Sequence, residues 1–403
     1  MKTIKFFTLG CKVNQYDTQS IREAFLRKGF KESAAGKASD FYLINTCTVT
    51  SSADKKSCNI IRHCVKTNPK SKVIVTGCMV KKDGGRLSAI KGVYSVISRR
   101  FFPEQISDFT NHTRAFLKVQ DGCNNFCSYC KVPQARGASR SRKPEEIIEE
   151  ARRLAKKGFK EIVLTGICLG AYGRDLKINS GLAGLIKDLE NIDGILRIRL
   201  SSIEAKDVSD ELIKNISLST KLCPHLHIPI QSGDDSVLKS MNRSYSSGDY
   251  TKLIGKLRKS ISDIAITTDV LVGFPGETKE NFENTVKLLK KIRPLKIHIF
   301  PYSKREGTAA AGFNNGVPAQ EVKRRVLELK GLGAYLAKEY MNKFINKEKL
   351  VLIEARLKDK PGFWEGFTDN YMRVIIRSDS DLKNCLIPLK LNRLGKECFL
   401  AVQ

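Results

Sequence analysis

No stretch of this sequence reaches the 18 or so consecutive apolar residues that a membrane span requires. The opening Met-Lys-Thr-Ile-Lys-Phe-Phe-Thr-Leu-Gly is positively charged at its start, but its apolar run is too short for a signal peptide and leads straight into Cys11-Lys12. The expectation is a cytoplasmic protein with no membrane partner. Acidic residues are also scarce: 42 Asp and Glu stand against 71 Lys and Arg, a net charge of +29. That excess favours a polyanionic partner, nucleic acid first. A lysine-rich surface without a binding face is the competing reading, because net charge locates nothing. Twelve cysteines in a reducing compartment point away from disulfides and toward metal ligands or catalysis. At 403 residues the chain exceeds one ordinary core and implies two or three domains.

The sharpest local signal is Cys123-Asn-Asn-Phe-Cys127-Ser-Tyr-Cys130, directly after the apolar run Ala115 to Val119 and Asp121-Gly122. A structural zinc site usually needs a fourth ligand, and no Cys or His follows until Cys168. Three thiolates on a four-iron cube leave one iron open to a substrate. Beyond this loop, strand-like runs begin near Ala115, Glu161, Arg197, His225, Ala265 and Lys296, with helix-like stretches between them. The first of these stretches has Pro144 at an early position, Glu145 and Glu146 in the first turn, and Lys156 and Lys157 before Gly158. Six such units imply a parallel sheet curled into a partial (βα)6 barrel, with ligands at the C-terminal ends of the strands. Those ends carry Gly166, Ser202, Glu204 and Gln231, which read either as ordinary turn residues or, taken together on one rim, as a cofactor site.

The N-terminal third repeats one arrangement three times. Ile4 to Leu9 ends in Gly10-Cys11, Phe41 to Ile44 leads through Asn45-Thr46 to Cys47, and Val73 to Val75 leads through Thr76-Gly77 to Cys78. Helix-like segments, around Tyr16 to Lys28 and Ala53 to Val65, separate them. Such alternation implies a parallel sheet with all three cysteines on one edge, able to converge on a single cluster. Each cysteine taken alone reads better as a small buried residue, but three of them, each directly after a strand, read as ligands. Cys58, Cys64, Cys168, Cys223, Cys385 and Cys398 lack this placement and read as packing residues.

The central loop, with Tyr129 before its last cysteine, resembles the cluster loop of radical S-adenosylmethionine enzymes. The resemblance implies that Cys123, Cys127 and Cys130 bind a four-iron cluster whose open iron is chelated by S-adenosylmethionine, with Tyr129 near the adenine. An electron from that cluster then cleaves the sulfonium to a 5′-deoxyadenosyl radical. Thr8-Leu-Gly-Cys11-Lys-Val-Asn-Gln-Tyr-Asp-Thr18, Asn45-Thr-Cys47-Thr-Val-Thr50 and Val75-Thr-Gly-Cys78 are similar to the N-terminal domain of the methylthiotransferases. In that family the three N-terminal cysteines hold an auxiliary four-iron cluster carrying the sulfur that is methylated and transferred. The likeness covers essentially the whole chain.

Cys223-Pro-His-Leu-His-Ile-Pro229, Met241-Asn-Arg-Ser-Tyr245 and Phe300-Pro-Tyr-Ser-Lys-Arg-Glu-Gly-Thr308 resemble the branch that converts N6-threonylcarbamoyladenosine, next to the tRNA anticodon, to its 2-methylthio derivative. Implied partners are the tRNA anticodon stem-loop, an electron donor such as flavodoxin or ferredoxin, and a sulfur donor. Cys168, Lys131 and Met79 depart from the branch pattern, which has His, an aliphatic residue and an aromatic there; none of the three is a cluster ligand.

After the basic helical stretch Gln320 to Lys347, short alternating segments at Leu350 to Ala355, Tyr371 to Arg377 and Cys385 to Leu391 read as a small antiparallel barrel. It resembles the TRAM domain, an RNA-binding appendage. Phe363, Trp364, Phe367 and Tyr371, beside Lys358, Lys360 and Arg373, fit either base stacking or a barrel core. The expected division is 1–112 for the N-terminal domain, 113–340 for the radical domain and 341–403 for the TRAM domain. Rival functions are methylthiolation of an isopentenyl-adenosine tRNA or of a ribosomal protein and, in another class, a non-catalytic metal-stabilised RNA-binding protein.

Overall fold

The computed structural model describes residues 1–34, 36–395 and 398–402. Its N-terminal part runs β1 (Thr3–Thr8), α1 (Lys12–Arg27), β2 (Lys31–Glu32), β3 (Phe41–Thr46), α2 (Ser51–Thr67), β4 (Lys72–Gly77), α3 (Val80–Ser88) and β5 (Val93–Val96). The five strands form one parallel sheet in the order β2-β1-β3-β4-β5. Alternation along β3 covers both faces. Tyr42 and Ile44 pack with Ile61, Cys64 and Leu87 on the α2 and α3 side, while Leu43 joins Ile4, Ile21 and Ile74 toward α1. The three strands that precede Cys11, Cys47 and Cys78 are direct neighbours. Sequence periodicity misses β2, β5 and α3, which are two to nine residues long, and α3 carries two glycines.

The central part runs β6 (Arg114–Lys118), β7 (Gln120–Asp121), α4 (Val132–Arg136), β8 (Arg140–Ser141), α5 (Pro144–Lys156), β9 (Glu161–Thr165), α6 (Gly181–Glu190), β10 (Arg197–Leu200), α7 (Asp210–Leu218), β11 (His225–His227), α8 (Asp235–Ser240), α9 (Ser247–Ser260), β12 (Ala265–Val272), α10 (Lys279–Ile292), β13 (Lys296–Pro301) and α11 (Ala319–Asn342). All six expected strands form. They make two parallel three-stranded sheets, β6-β9-β10 and β11-β12-β13. The bridges Ile198↔Leu222 and Ser202↔His227 join the two into a partial barrel. Its core is contiguous with the N-terminal part, because Tyr16 of α1 is fully buried in it. The Tyr16 hydroxyl donates to Glu150 at 3.0 Å and accepts from Arg142 at 3.0 Å.

The C-terminal strands β14 (Glu348–Arg356), β15 (Phe363–Thr368), β16 (Arg373–Arg377), β17 (Leu386–Leu394) and β18 (Phe399–Val402) close into a barrel in the order β14-β15-β16-β18-β17. It is not wholly antiparallel as expected: β16 and β18 run parallel. The aromatics also differ from the stacking reading. Trp364 is a core residue of this barrel, and Phe367 stacks on Tyr371 at 5.2 Å. Arg114 lies 5.2 Å from both of the latter rings and Arg199 lies 4.7 Å from Tyr371, so this pair is spent on the seam with the central barrel. At that seam Glu161 sits among Arg199 at 2.7 Å and Arg114 and Arg197 at 3.8 Å, while Arg114 also pairs with Glu354 at 2.6 Å. Burial raises the Glu161 carboxyl, but Arg199, Arg114 and Arg197 outweigh it and hold the group below the usual carboxylate range. These residues begin β6, β9 and β10, so the C-terminal barrel docks on the end of the central barrel opposite the cysteine loop.

Among the described residues, no helix is long and apolar enough to cross a membrane.

Candidate active site

The three N-terminal cysteines stand at the C-terminal edge of the first sheet. Cys11 begins α1, and Cys47 and Cys78 directly follow β3 and β4. Gly10 and Gly77 share the same left-handed turn, φ +101°. A Cβ on Gly10 would lie 2.9 Å from Cys47 Sγ, so only glycine lets these turns converge. Asn14, buried in the first turns of α1, organises all three. Its Nδ2 donates to Leu9 O at 2.6 Å and to Thr46 O at 3.0 Å, and its Oδ1 accepts from the Cys78 thiol at 3.6 Å. Burial pushes the Cys47 thiol up to about 11 and raises that of Cys78. Such thiols become thiolates when a metal supplies the compensating charge.

The central loop is anchored at its base by the antiparallel pair β7-β8. The Cys123 N–H donates to Gly137 O at 3.1 Å and the Cys130 N–H to Cys127 O at 3.0 Å. The turn after α8 holds the outer side, through Ser128 Oγ donating to Ser240 O at 2.8 Å and Asn242 Nδ2 donating to Phe126 O at 2.7 Å. Donors reach the sulfurs: the Asn125 N–H to Cys123 Sγ and Arg243 Nη1 to Cys127 Sγ, each at 3.3 Å, and the Val132 N–H to Cys130. All twelve cysteines are free. No group of three or more His, Cys, Asp or Glu among the described residues is arranged for a single metal ion. A four-iron cube distributes its thiolates over separate corners, so three free thiols with N–H donors aimed at them suit it.

Of the five residues expected at the cofactor, Glu204 is tied to the loop: Arg243, the donor to Cys127, is ion-paired with it. Tyr129, partly buried, lies beside the same Arg243 and meets Phe274 edge-on at 6.4 Å. Gly166 makes room for Gln120, whose Oε1 would stand 3.0 Å from a Cβ there. Ser202 and Gln231 lie at strand ends, Gln231 with φ +68°, and no side-chain hydrogen bond among the described residues links either to the loop.

Several site residues escaped the sequence reading. Cys168, read as packing, accepts from Asn125 Nδ2 at 3.7 Å and lies against Cys123. Its contact lowers the Cys123 thiol to about 7. Cys168 also lines a cavity of about 240 Å³ with Asn124, Asn125, Ser139 and Arg174. Gln120 positions this corner, accepting from the Cys168 N–H at 2.8 Å and donating to Gly122 O at 2.8 Å. Lys131 pairs with Asp83 at 3.9 Å, and Met79 packs in the core beneath α2 and α3.

Arg136, at the end of α4, joins the two cysteine sets. It donates to Asn14 Oδ1, pairs with Asp121 at 2.9 Å and Asp17 at 3.4 Å, and lies beside the Cys78 and Cys11 thiols. A second bridge comes from the Phe300–Thr308 motif: Arg305 donates to Thr48 O at 3.1 Å and Thr48 Oγ1 at 3.0 Å, and pairs with Asp54, fixing the segment that follows Cys47.

Comparison with known proteins agrees with this arrangement. Residues 117–289 match the radical SAM superfamily, and residues 3–98 match an uncharacterized protein family, UPF0004. The chain is 39% identical to the threonylcarbamoyladenosine tRNA methylthiotransferase MtaB of Bacillus subtilis, over 98% of this chain and 95% of that protein. It is 32% identical to the tRNA-2-methylthio-N(6)-dimethylallyladenosine synthase of Desulfitobacterium hafniense, over 96% and 94%. Among solved structures, the radical S-adenosylmethionine methyltransferase TsrM of Kitasatospora setae superposes with a TM-score of 0.52 at 13% identity, over 74% of this chain and 73% of that one, a likeness of fold. Sequence identity sustained from end to end, across both cysteine sites, places the chain in a family: it belongs to the radical S-adenosylmethionine methylthiotransferases, whose radical domain uses S-adenosylmethionine and a four-iron cluster.

Proposed function

We propose that this enzyme converts N6-threonylcarbamoyladenosine, next to the anticodon of a tRNA, into its 2-methylthio derivative in the cytoplasm. The observation that carries the proposal is the pairing of two separate three-cysteine sites by one buried arginine, Arg136, in a chain similar over nearly its whole length to a protein named for that reaction. The net charge of +29 suits a polyanionic substrate.

In this reading Cys123, Cys127 and Cys130 hold the radical cluster, and Cys11, Cys47 and Cys78 hold a second, auxiliary one. Tyr129, Gly166, Ser202, Glu204 and Gln231 line the S-adenosylmethionine side. When bound, the clusters and S-adenosylmethionine supply the electron, the radical and the methylated sulfur. The chain's own residues orient and balance these groups. Arg243 and the Asn125 N–H offset thiolate charge on the loop, while Asn14 and Arg136 do so at the sheet edge. An electron donor such as flavodoxin or ferredoxin and a separate sulfur donor complete the system. The working division of the chain is 1–112, 113–340 and 341–403.

The test is turnover by anaerobically reconstituted enzyme, with S-adenosylmethionine and a chemical reductant, on tRNA bearing either N6-threonylcarbamoyladenosine or N6-isopentenyladenosine. Mass spectrometry of the digested nucleosides should find the 2-methylthio product from the first. Product from the second alone would move the enzyme to the other branch, and product from neither would overturn the reading.

A further inference from the structure

We propose that Lys81 and Arg100 form a phosphate seat for the substrate RNA at the rim of the paired cysteine sites. The inference rests on the tRNA reading above and deepens it.

Both cationic heads reach one point, above Gly137. A Cβ built on that glycine would lie 3.3 Å from Arg100 Nη2 and 3.7 Å from Lys81 Nζ. Two like charges drawn to one place repel unless an anion lies between them. The carboxylates nearby are already committed: Asp121 to Arg99 and Arg136, Asp83 to Lys131, and Glu104 to Lys118 and Arg140. Among the described residues the Arg100 side chain donates only to Arg136 O, at 3.3 Å, and the Lys81 side chain has no partner. Both side chains are exposed to solvent.

The location joins this pair to the chemistry. The carbonyl of Gly137 accepts the Cys123 N–H at 3.1 Å, so the seat backs directly onto the radical loop. Lys81 lies in the first turn of α3, three residues after Cys78, so the seat also touches the auxiliary edge. Two aromatics stand out from this rim, Phe101 next to Arg100 and Phe126 inside the cysteine loop, each 74% exposed. Exposed rings beside unpaired cations are what a single-stranded nucleic acid recognises, the rings stacking bases and the cations taking the backbone. The geometry therefore points to the phosphodiester of an unpaired loop, seated on Lys81 and Arg100 with its bases toward Phe101 and Phe126.

The experiment measures the affinity of the holoenzyme for a labelled anticodon stem-loop RNA as salt is varied, for wild type, K81Q/R100Q and F101A. Each phosphate contact to a single strand contributes about 0.7 to the slope of log K against log salt. The double variant should therefore bind more weakly with a slope shallower by about 1, and F101A should bind more weakly with the slope unchanged. Iron content and RNA-independent 5′-deoxyadenosine formation should match wild type in both, which separates a lost contact from a lost fold; K81Q alone, on an exposed helix, serves if the double variant fails that check. Wild type that binds RNA while K81Q/R100Q keeps its affinity and slope overturns the seat alone. Wild type that binds no RNA overturns the functional reading itself.

Discussion

Arg136 Nη1 lies 2.9 Å from Asp121 Oδ1, and this pair sits where the two cysteine sets meet. Burial alone raises the Asp121 carboxyl, yet Arg136, Lys118 and Arg99 outweigh it and hold the group well below the usual carboxylate range. The same three cations are bound in turn by Asp17, Glu104 and Asp121, so the seam is a buried network. Removing one member of such a network leaves its partners as uncompensated buried charges. Arg136→Ala should therefore lower stability by about 3–5 kcal/mol and loosen Asn14, whose Oδ1 Arg136 contacts. Denaturant unfolding of the cluster-free protein gives the first effect. Iron retained per chain after reconstitution gives the second, with loss expected from the N-terminal site before the central one. A variant as stable and as iron-rich as wild type would show that the network does not hold the seam together.

Glu161 holds Arg114, Arg197 and Arg199, the three arginines that reach across to the C-terminal barrel, and so makes the junction acid-sensitive. Its carboxyl is held below the usual carboxylate range in the fold. A group depressed in this way contributes stability that is fully present above its unfolded value, about 4.3, and lost as pH falls through the folded value. Wild type should lose stability steeply below about pH 4. Glu161→Gln should already be about 3–5 kcal/mol less stable at pH 7, with a flatter profile between pH 5 and 3. Thermal melts across that range compare the two, and parallel profiles would show that Glu161 is not the group responsible.

Trp364 belongs to the core of the C-terminal barrel, and Arg356 lies 4.8 Å over its ring. Trp364→Ala should cost about 3–5 kcal/mol in unfolding measurements. At a temperature where the variant remains folded, its RNA affinity should stay at the wild-type level. Lost RNA affinity with unchanged stability would restore the stacking role for this residue.

Much of this architecture is written in local pattern. The apolar runs that begin β6, β9, β10, β11, β12 and β13 are long enough or regular enough to be read directly, and α5 carries both its acidic first turn and its basic end. The six cysteines stand out because each follows a strand or shares one loop. What stayed hidden depends on contacts between segments far apart in sequence. Asn14, Arg136, Arg243 and Gln120 are ordinary polar residues until the fold buries them against carbonyls and thiols, and no spacing rule marks that. Cys168 is buried as a packing residue would be, but its contacts with Asn125 and Cys123, more than forty residues away, leave no local mark either. The barrel aromatics stay ambiguous in sequence, because an aromatic next to lysine has the same local signature whether it faces RNA or, like Tyr371, an arginine of the neighbouring barrel.

In the proposed reaction the two cysteine sets divide the labour, and replacing them separately distinguishes their roles. Each set offers three thiolates, so each leaves one iron open on a four-iron cube. With the central site committed to S-adenosylmethionine, sulfur transfer requires the other. Chromatography of 5′-deoxyadenosine and of digested tRNA nucleosides from the same reaction follows both activities. Changing Cys11, Cys47 and Cys78 together to Ala should abolish the methylthiolated nucleoside while reductive 5′-deoxyadenosine formation persists, and iron should fall from about eight to about four per chain. Changing Cys123, Cys127 and Cys130 should abolish both products. Methylthiolated nucleoside from a folded N-terminal triple variant would refute this division, because the sulfur would then have to come from elsewhere.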